Sequence, residues 1–228
     1  MTSEVLPMSE VLDDDRIARP EPLMTALRRR VSGRYPIDPF GLDPQLADLC
    51  VPIFERAVRV RLTGGEHVPA TGPAVIVSNR GFGAGELAAL GVAVERASGR
   101  RLRAVGAPDV PFLGAAMRRL GAISSSETDV ASALRAGHLV GIPLAPTWLR
   151  TGAGDVPHAV ARALTLAPIV PAAVHADGRF GAVIGSWAVT FGSMVTLADP
   201  YDPNDPLAAA RFTDAMRSAV RKLLESSS

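Results

Sequence analysis

The sequence predicts an α/β domain with a mainly parallel central sheet covered by helices on both faces. Three observations predict it. Almost wholly apolar runs such as Pro73 to Ser78, Leu139 to Ile142 and Ile169 to Val174 read as buried strands. Stretches with apolar residues at helical spacing lie between them, so strands alternate with helices. The 228 residues, 47% hydrophobic and 21% charged, suffice for one substantial core and exclude a fully disordered chain.

Taken in order, residues 1–43 read as a Pro- and Arg-rich N-terminal arm, and residues 44–228 as the domain. The arm carries Asp13 to Asp15, then Arg16, Arg19, Arg28, Arg29, Arg30 and Arg34. It reads either as a solvated extension or as a basic patch for anionic headgroups. Asp43 caps a helix with Pro44 in its first position, running to about Arg59 with Leu46, Leu49, Ile53 and Ala57 on one face. After the Pro73 to Ser78 strand come a helix over Ala84 to Ala97 and a short strand over Leu102 to Gly106. Helices follow at Pro111 to Leu120 and at Thr128 to Ala136, the second ended by Gly137. The Leu139 to Ile142 strand, a helix over Val156 to Leu166 and the Ile169 to Val174 strand come next. Phe180 to Ala198 is uncharged and long enough to span a bilayer, but its glycines and the alternation of Trp187, Val189 and Phe191 predict two β-segments in a hairpin-like region. A final amphipathic helix covers Asp205 to Leu224.

Composition removes several function classes. A net charge of +1 with 5% aromatic residues argues against a nucleic-acid partner. Cys50 is the only cysteine, so there is no internal disulfide and no cysteine metal cluster. His67, His138, His158 and His175 lack the i, i+4 spacing of a helical metal site, and no metal is expected. His67 reads as a loop residue and His138 as a helix-end residue where the dipole favours a cation. His158 lies in a helical first turn. His175 with Asp177 reads as an acid/base couple or as the start of a turn at Asp177-Gly178. The start of the chain lacks the basic-then-apolar order of a secretory signal.

In open α/β sheets ligands bind beyond the carboxyl ends of the strands. That directs attention to Asn79 to Glu86, Ala107 to Asp109, Pro143 to Arg150 and His175 to Arg179. Gly81-Phe82-Gly83-Ala84-Gly85 suggests phosphate binding at a helix N-terminus but does not complete the dinucleotide fingerprint.

Four stretches in order carry a family likeness. They are Leu62 to Arg80, with Gly-Gly-Glu-His-Val-Pro, then Gly-Pro, an apolar strand and Asn79-Arg80; Arg101 to Ile123, ending Arg-Arg-Leu-Gly-Ala-Ile; Leu134 to Ile142; and Ala167 to Val174 with Ile169-Val170-Pro171. Over about Asp43 to Leu224 the chain resembles the phospholipid/glycerol acyltransferase superfamily, which includes 1-acylglycerol-3-phosphate acyltransferase. The resemblance implies a histidine base and an orienting aspartate with four residues between them, after the first strand, to deprotonate an acceptor hydroxyl. Arg80 and Gly85 stand at those positions, with Glu86 one residue later. A guanidinium has no acceptor nitrogen and keeps its proton. Ser124 to Ser126 stand where the family holds phosphate with arginine. Pro143-Leu144-Ala145-Pro146-Thr147-Trp148 stands where Phe-Pro-Glu-Gly-Thr-Arg is usual.

The resemblance thus implies degenerate catalytic positions at Arg80 and Glu86, and substrate-binding positions at Asn79, Thr147 and Arg150. It implies acyl-CoA or acyl carrier protein as co-substrate and no resident cofactor. Three readings stay open: a catalytically impaired acyltransferase-like protein that binds acyl-CoA or lipid or assists a protein partner, an active glycerolipid acyltransferase with displaced groups, and a purely structural interaction protein. The expected setting is cytoplasmic, peripheral to the inner face of the membrane.

Overall fold

The computed structural model describes Arg28 and residues 37–79, 84–106, 113–144, 167–177, 185–195 and 205–226. Its elements are α1 (Pro44–Ala57), β1 (Val58–Thr63), a single 3-10 turn (Gly65–His67), β2 (Ala74–Ser78), α2 (Ala84–Ser98), β3 (Leu102–Ala104), α3 (Leu113–Arg119), α4 (Glu127–Arg135), β4 (Leu139–Pro143), β5 (Ile169–Asp177), β6 (Gly185–Phe191) and α5 (Pro206–Ser226). Among the described residues six strands form one sheet in the order β1-β6-β5-β2-β4-β3. Every pairing is parallel except β5 with β6.

β2 is buried along its whole length and pairs with β4 on one side and β5 on the other. Side chains alternate across a strand, so a strand with no wet face is apolar on both sides, here from Ala74 to Val77. Ala74 and Ile76 enter one core with Ala89, Leu90, Ala93 and Val94 of α2. Val75 and Val77 enter the opposite core with Val130, Ala133 and Leu134 of α4 and Met216 of α5. The two cores confirm helices on both faces. Fully burying a side chain such as Ile76 contributes about 1.5–3 kcal/mol.

The helix starts follow from local chemistry. The Asp43 carboxylate accepts from the Leu46 N–H at 2.9 Å, and Pro44 needs no donor in the first turn. Ser126 caps α4, its Oγ accepting from the Asp129 N–H at 3.1 Å. Gly137 takes φ 83°, and the His138 N–H returns to the Ala133 carbonyl at 3.0 Å, which closes α4 where the sequence predicted.

Two expectations change. α1 ends at Ala57 rather than near Arg59, because Val58 already has an extended backbone (φ −115°, ψ 105°) and begins β1. Val58 to Thr63 alternates apolar and polar residues, but it follows the helix with no turn residue between, so the strand was hidden in the helical reading. The hairpin expected within Phe180 to Ala198 is formed instead by β5 and β6. The described part of that segment is the single strand Gly185–Phe191 plus a one-residue bridge from Val195 to Ile169. The helix expected over Val156 to Leu166 lies outside the described residues, as do residues 1–27 and 29–36 of the arm.

Residues 37–43 fold onto the sheet at its β3 edge. Asp38 and Asp43 are buried, and the Asp38 carboxylate accepts from the N–H groups of Phe40 (2.9 Å) and Leu42 (2.8 Å). Its other oxygen pairs with the Arg103 guanidinium of β3, and both side chains are almost wholly buried. The Phe40 ring lies 5.8 Å from that guanidinium, and the His138 ring meets Phe40 edge-on at 5.4 Å. His138 was expected to favour its charged form at a helix end. Burial pushes its pKa down instead, and the Arg103 charge adds to this, with Asp38 acting in the opposite sense.

Two outcomes follow from this cluster. Asp38→Ala leaves Arg103 charged and buried without its partner, and urea unfolding should show a loss of about 3–5 kcal/mol. His138 titrates in the unfolded chain near its ordinary value of 6.5 but resists protonation when folded. Unfolded chains then bind more protons as pH falls through about 6.5, so stability should drop as the pH is lowered past that value. His138→Phe should flatten that slope in a pH series of melting temperatures.

Candidate functional site

β2, β3, β4 and β5 run parallel, so their carboxyl ends share one edge. Asn79 stands there, directly after β2. Its Nδ2 donates to the Val174 carbonyl at 3.1 Å, and its Oδ1 accepts from the Val174 N–H at 2.7 Å. Ser78 is in register with Ala172, so the amide side chain carries the β2–β5 ladder past the end of the strand. On the other side the Leu144 N–H donates to the Ser78 carbonyl at 2.9 Å. The edge is thereby clamped between β4 and β5, and Asn79 is a main structural tie there. Glu86 sits in the first turn of α2, half-buried, beside the buried Gly85.

Of the five positions singled out in the sequence, Asn79 and Glu86 are described. Arg80, Thr147 and Arg150 lie outside the described residues, and so does His158. His175 lies within β5 rather than at its end. It is exposed, opposite Ala188 of β6, and the strand continues to Asp177. His67 occupies the 3-10 turn, with Nε2 3.9 Å from the Glu66 carboxylate. Ser126, in the Ser124 to Ser126 run, uses its hydroxyl as the α4 cap. No helix of the described residues is long and apolar enough to cross a membrane.

A feature that the motif positions did not reveal lies on the α2 face of the sheet, at the β3 edge. It is an apolar cavity of about 280 Å³ between α1, α2, β3 and the end of α3. α1 contributes Ala47, Cys50, Val51 and Phe54, at spacings of three and four residues. α2 contributes Leu87, Ala88, Gly91, Val92 and Glu95, a second stripe beside the one that packs on the sheet. Leu102 and Ala104 face it from β3, and the intervening Arg103 goes to the opposite face, as the two-residue period requires. Leu120 lines it while 39% exposed, so the cavity reaches the surface there.

Glu95 and Arg101 are the charged residues of the lining. Arg101 pairs with Asp48 of α1. Burial raises the Glu95 pKa, with Glu55 and Asp48 adding to the rise and Arg101 opposing it. The sequence did carry a signal for this cavity. α2 is apolar on two stripes where a helix lying on a sheet needs one, and α1 buries only Ala47 despite its apolar face.

Compared with known proteins, the chain matches no family model. Uncharacterized proteins of Mycobacterium tuberculosis and Mycobacterium bovis are each 28% identical over 259 residues, spanning 87% of this chain and 71% of theirs. An uncharacterized protein of Mycobacterium leprae is 33% identical over 128 residues, 51% of this chain and 35% of its own. Among solved structures, the 1-acyl-sn-glycerophosphate acyltransferase of Thermotoga maritima aligns with a TM-score of 0.49 and 12% identity, over 79% of this chain and 81% of that one.

The Asn79 tie has a measurable consequence. Asn79→Leu removes both side-chain bonds and leaves the Val174 main-chain groups without them. Denaturant titration should show a loss of about 1–3 kcal/mol, with hydrogen exchange at Val174 speeding up more than at Val140 in β4.

Proposed function

We propose that this chain is an acyltransferase-like α/β domain that binds an acyl chain, presented as acyl-CoA, as an acyl carrier protein thioester or as a lipid, and that it has lost the proton transfer of that family. The observation that carries the reading is the apolar cavity. On α2 its lining starts at Leu87, one residue after Glu86, in the helix that follows Arg80 in the sequence. An apolar lining with few polar groups takes ligand atoms that need no hydrogen bonds.

Three further features support the loss of proton transfer. Arg80 replaces the base with a group that cannot accept a proton, and Gly85 offers no carboxylate to orient one. Pro143 to Trp148 lacks the Glu, Gly and Arg of the acceptor-binding motif. Asn79, beside the replaced base, is tied to Val174 on both sides of its amide. On this reading the frame is kept as a holder of acyl groups at a membrane surface or beside an active enzyme.

Titration with octanoyl- to palmitoyl-CoA, with glycerol 3-phosphate as acceptor, tests it. Saturating acyl-CoA should raise the melting temperature, since a ligand at a hundredfold excess over Kd stabilises the native state by about 2.7 kcal/mol, and free CoA should not. No free CoA should be released above the buffer rate. Absence of any melting shift removes the binding role. Release of CoA that disappears in Glu86→Gln establishes an active enzyme with displaced groups.

A further inference from the structure

We infer that Gly91 sets the length of alkyl chain that the cavity accepts, and that this length is about ten carbons. The inference rests on the acyl-binding reading and adds to it a size class and the residue that fixes it.

Gly91 lies in the middle of α2, where glycine is destabilising relative to alanine. Several other glycines have a local reason. Gly64 and Gly137 take φ 70° and 83°, and side chains would stand 3.0 Å and 3.1 Å from a Cβ at Gly141 and Gly192. Gly91 has neither reason: it is helical, and a Cβ built on it meets nothing within 4 Å. Its missing side chain faces open space, and Gly91 itself lines the cavity. A helix that could hold alanine there without a clash instead leaves the volume empty.

The size and shape of that volume indicate its occupant. An apolar cavity of about 150 Å³ holds the six carbons of benzene, so about 280 Å³ holds about ten at similar packing. The lining extends along α2 from Leu87 to Glu95 and along α1 from Ala47 to Phe54, a length of about 10–12 Å at the helical rise. A trough walled lengthwise by two helices suits a single unbranched chain. Its charged residues, Glu95 and the already paired Arg101, leave the middle, at Gly91, for methylene groups.

Calorimetric titration of saturated alkanoates from six to fourteen carbons into the full chain, Gly91→Ala and Gly91→Leu tests this. In the unsubstituted chain affinity should rise about fourfold per added methylene and level off near ten carbons. The four carbons of leucine should move that plateau about four carbons shorter and weaken decanoate binding on the order of 100-fold. Melting of Gly91→Ala without ligand should rise by about 2–4 °C, and Gly91→Leu should melt no lower than the unsubstituted chain. An unchanged length profile in Gly91→Leu overturns the role of Gly91 and leaves the acyl-binding reading standing. A fall in melting temperature overturns it as well, since the space would not be open. Alkanoates that bind without length dependence, or not at all, overturn both.

Discussion

The burial of β2 on both faces constrains everything around it. A strand buried at every residue has to hand its side chains alternately to two cores and its main-chain groups to two neighbours. Ala74 and Ile76 recruit α2, Val75 and Val77 recruit α4 and α5, and the ladder recruits β4 and β5. Asn79 is the last step of the same constraint. Where β2 stops offering backbone to β5, a side-chain amide takes over both bonds to Val174. The described strand ends at this edge are therefore tied to one another, and in such sheets ligands bind beyond those ends.

The parts of this architecture that were legible in the sequence are those in which one physical signal dominates. Continuous apolar runs gave β2, β4 and β5, since full burial on two faces leaves no other pattern. Asp43-Pro44 and Gly137 gave one helix start and one helix stop, because capping and left-handed backbone demand particular residues. β1 was missed because an alternating edge strand abuts α1 without a turn, and its Arg59 and Arg61 fit a wet helix face as well as a wet strand face. The position of His138 in the chain spoke for a helix dipole, but its burial against Phe40 depends on residues about a hundred positions apart, which no local pattern encodes.

The candidate site divides along the same line. That Arg80 and Gly85, rather than a histidine and an aspartate, follow the Pro73 to Ser78 run is visible in sequence because a motif is a local string. A cavity is a relation between α1, α2, β3 and α3, and its volume is set by what those stretches leave unfilled. The buried Asp38–Arg103 pair belongs to this class too. It brings a turn before the first helix to the opposite face of β3 from the cavity, so the edge strand is braced on one face by charge while its other face lines apolar space.

The reversal of direction between β5 and β6 bears on how the chain is made. β1 pairs with β6, Val58 opposite Gly185, so 127 residues (185 − 58) separate a strand from its partner. At translation rates of about 5–20 residues per second, β1 leaves the ribosome roughly 6–25 s before that partner exists. During that interval its main-chain donors and acceptors have no native strand beside them. Arg59 and Arg61, placed on alternate positions of that strand, supply the charge that discourages it from pairing with another nascent chain.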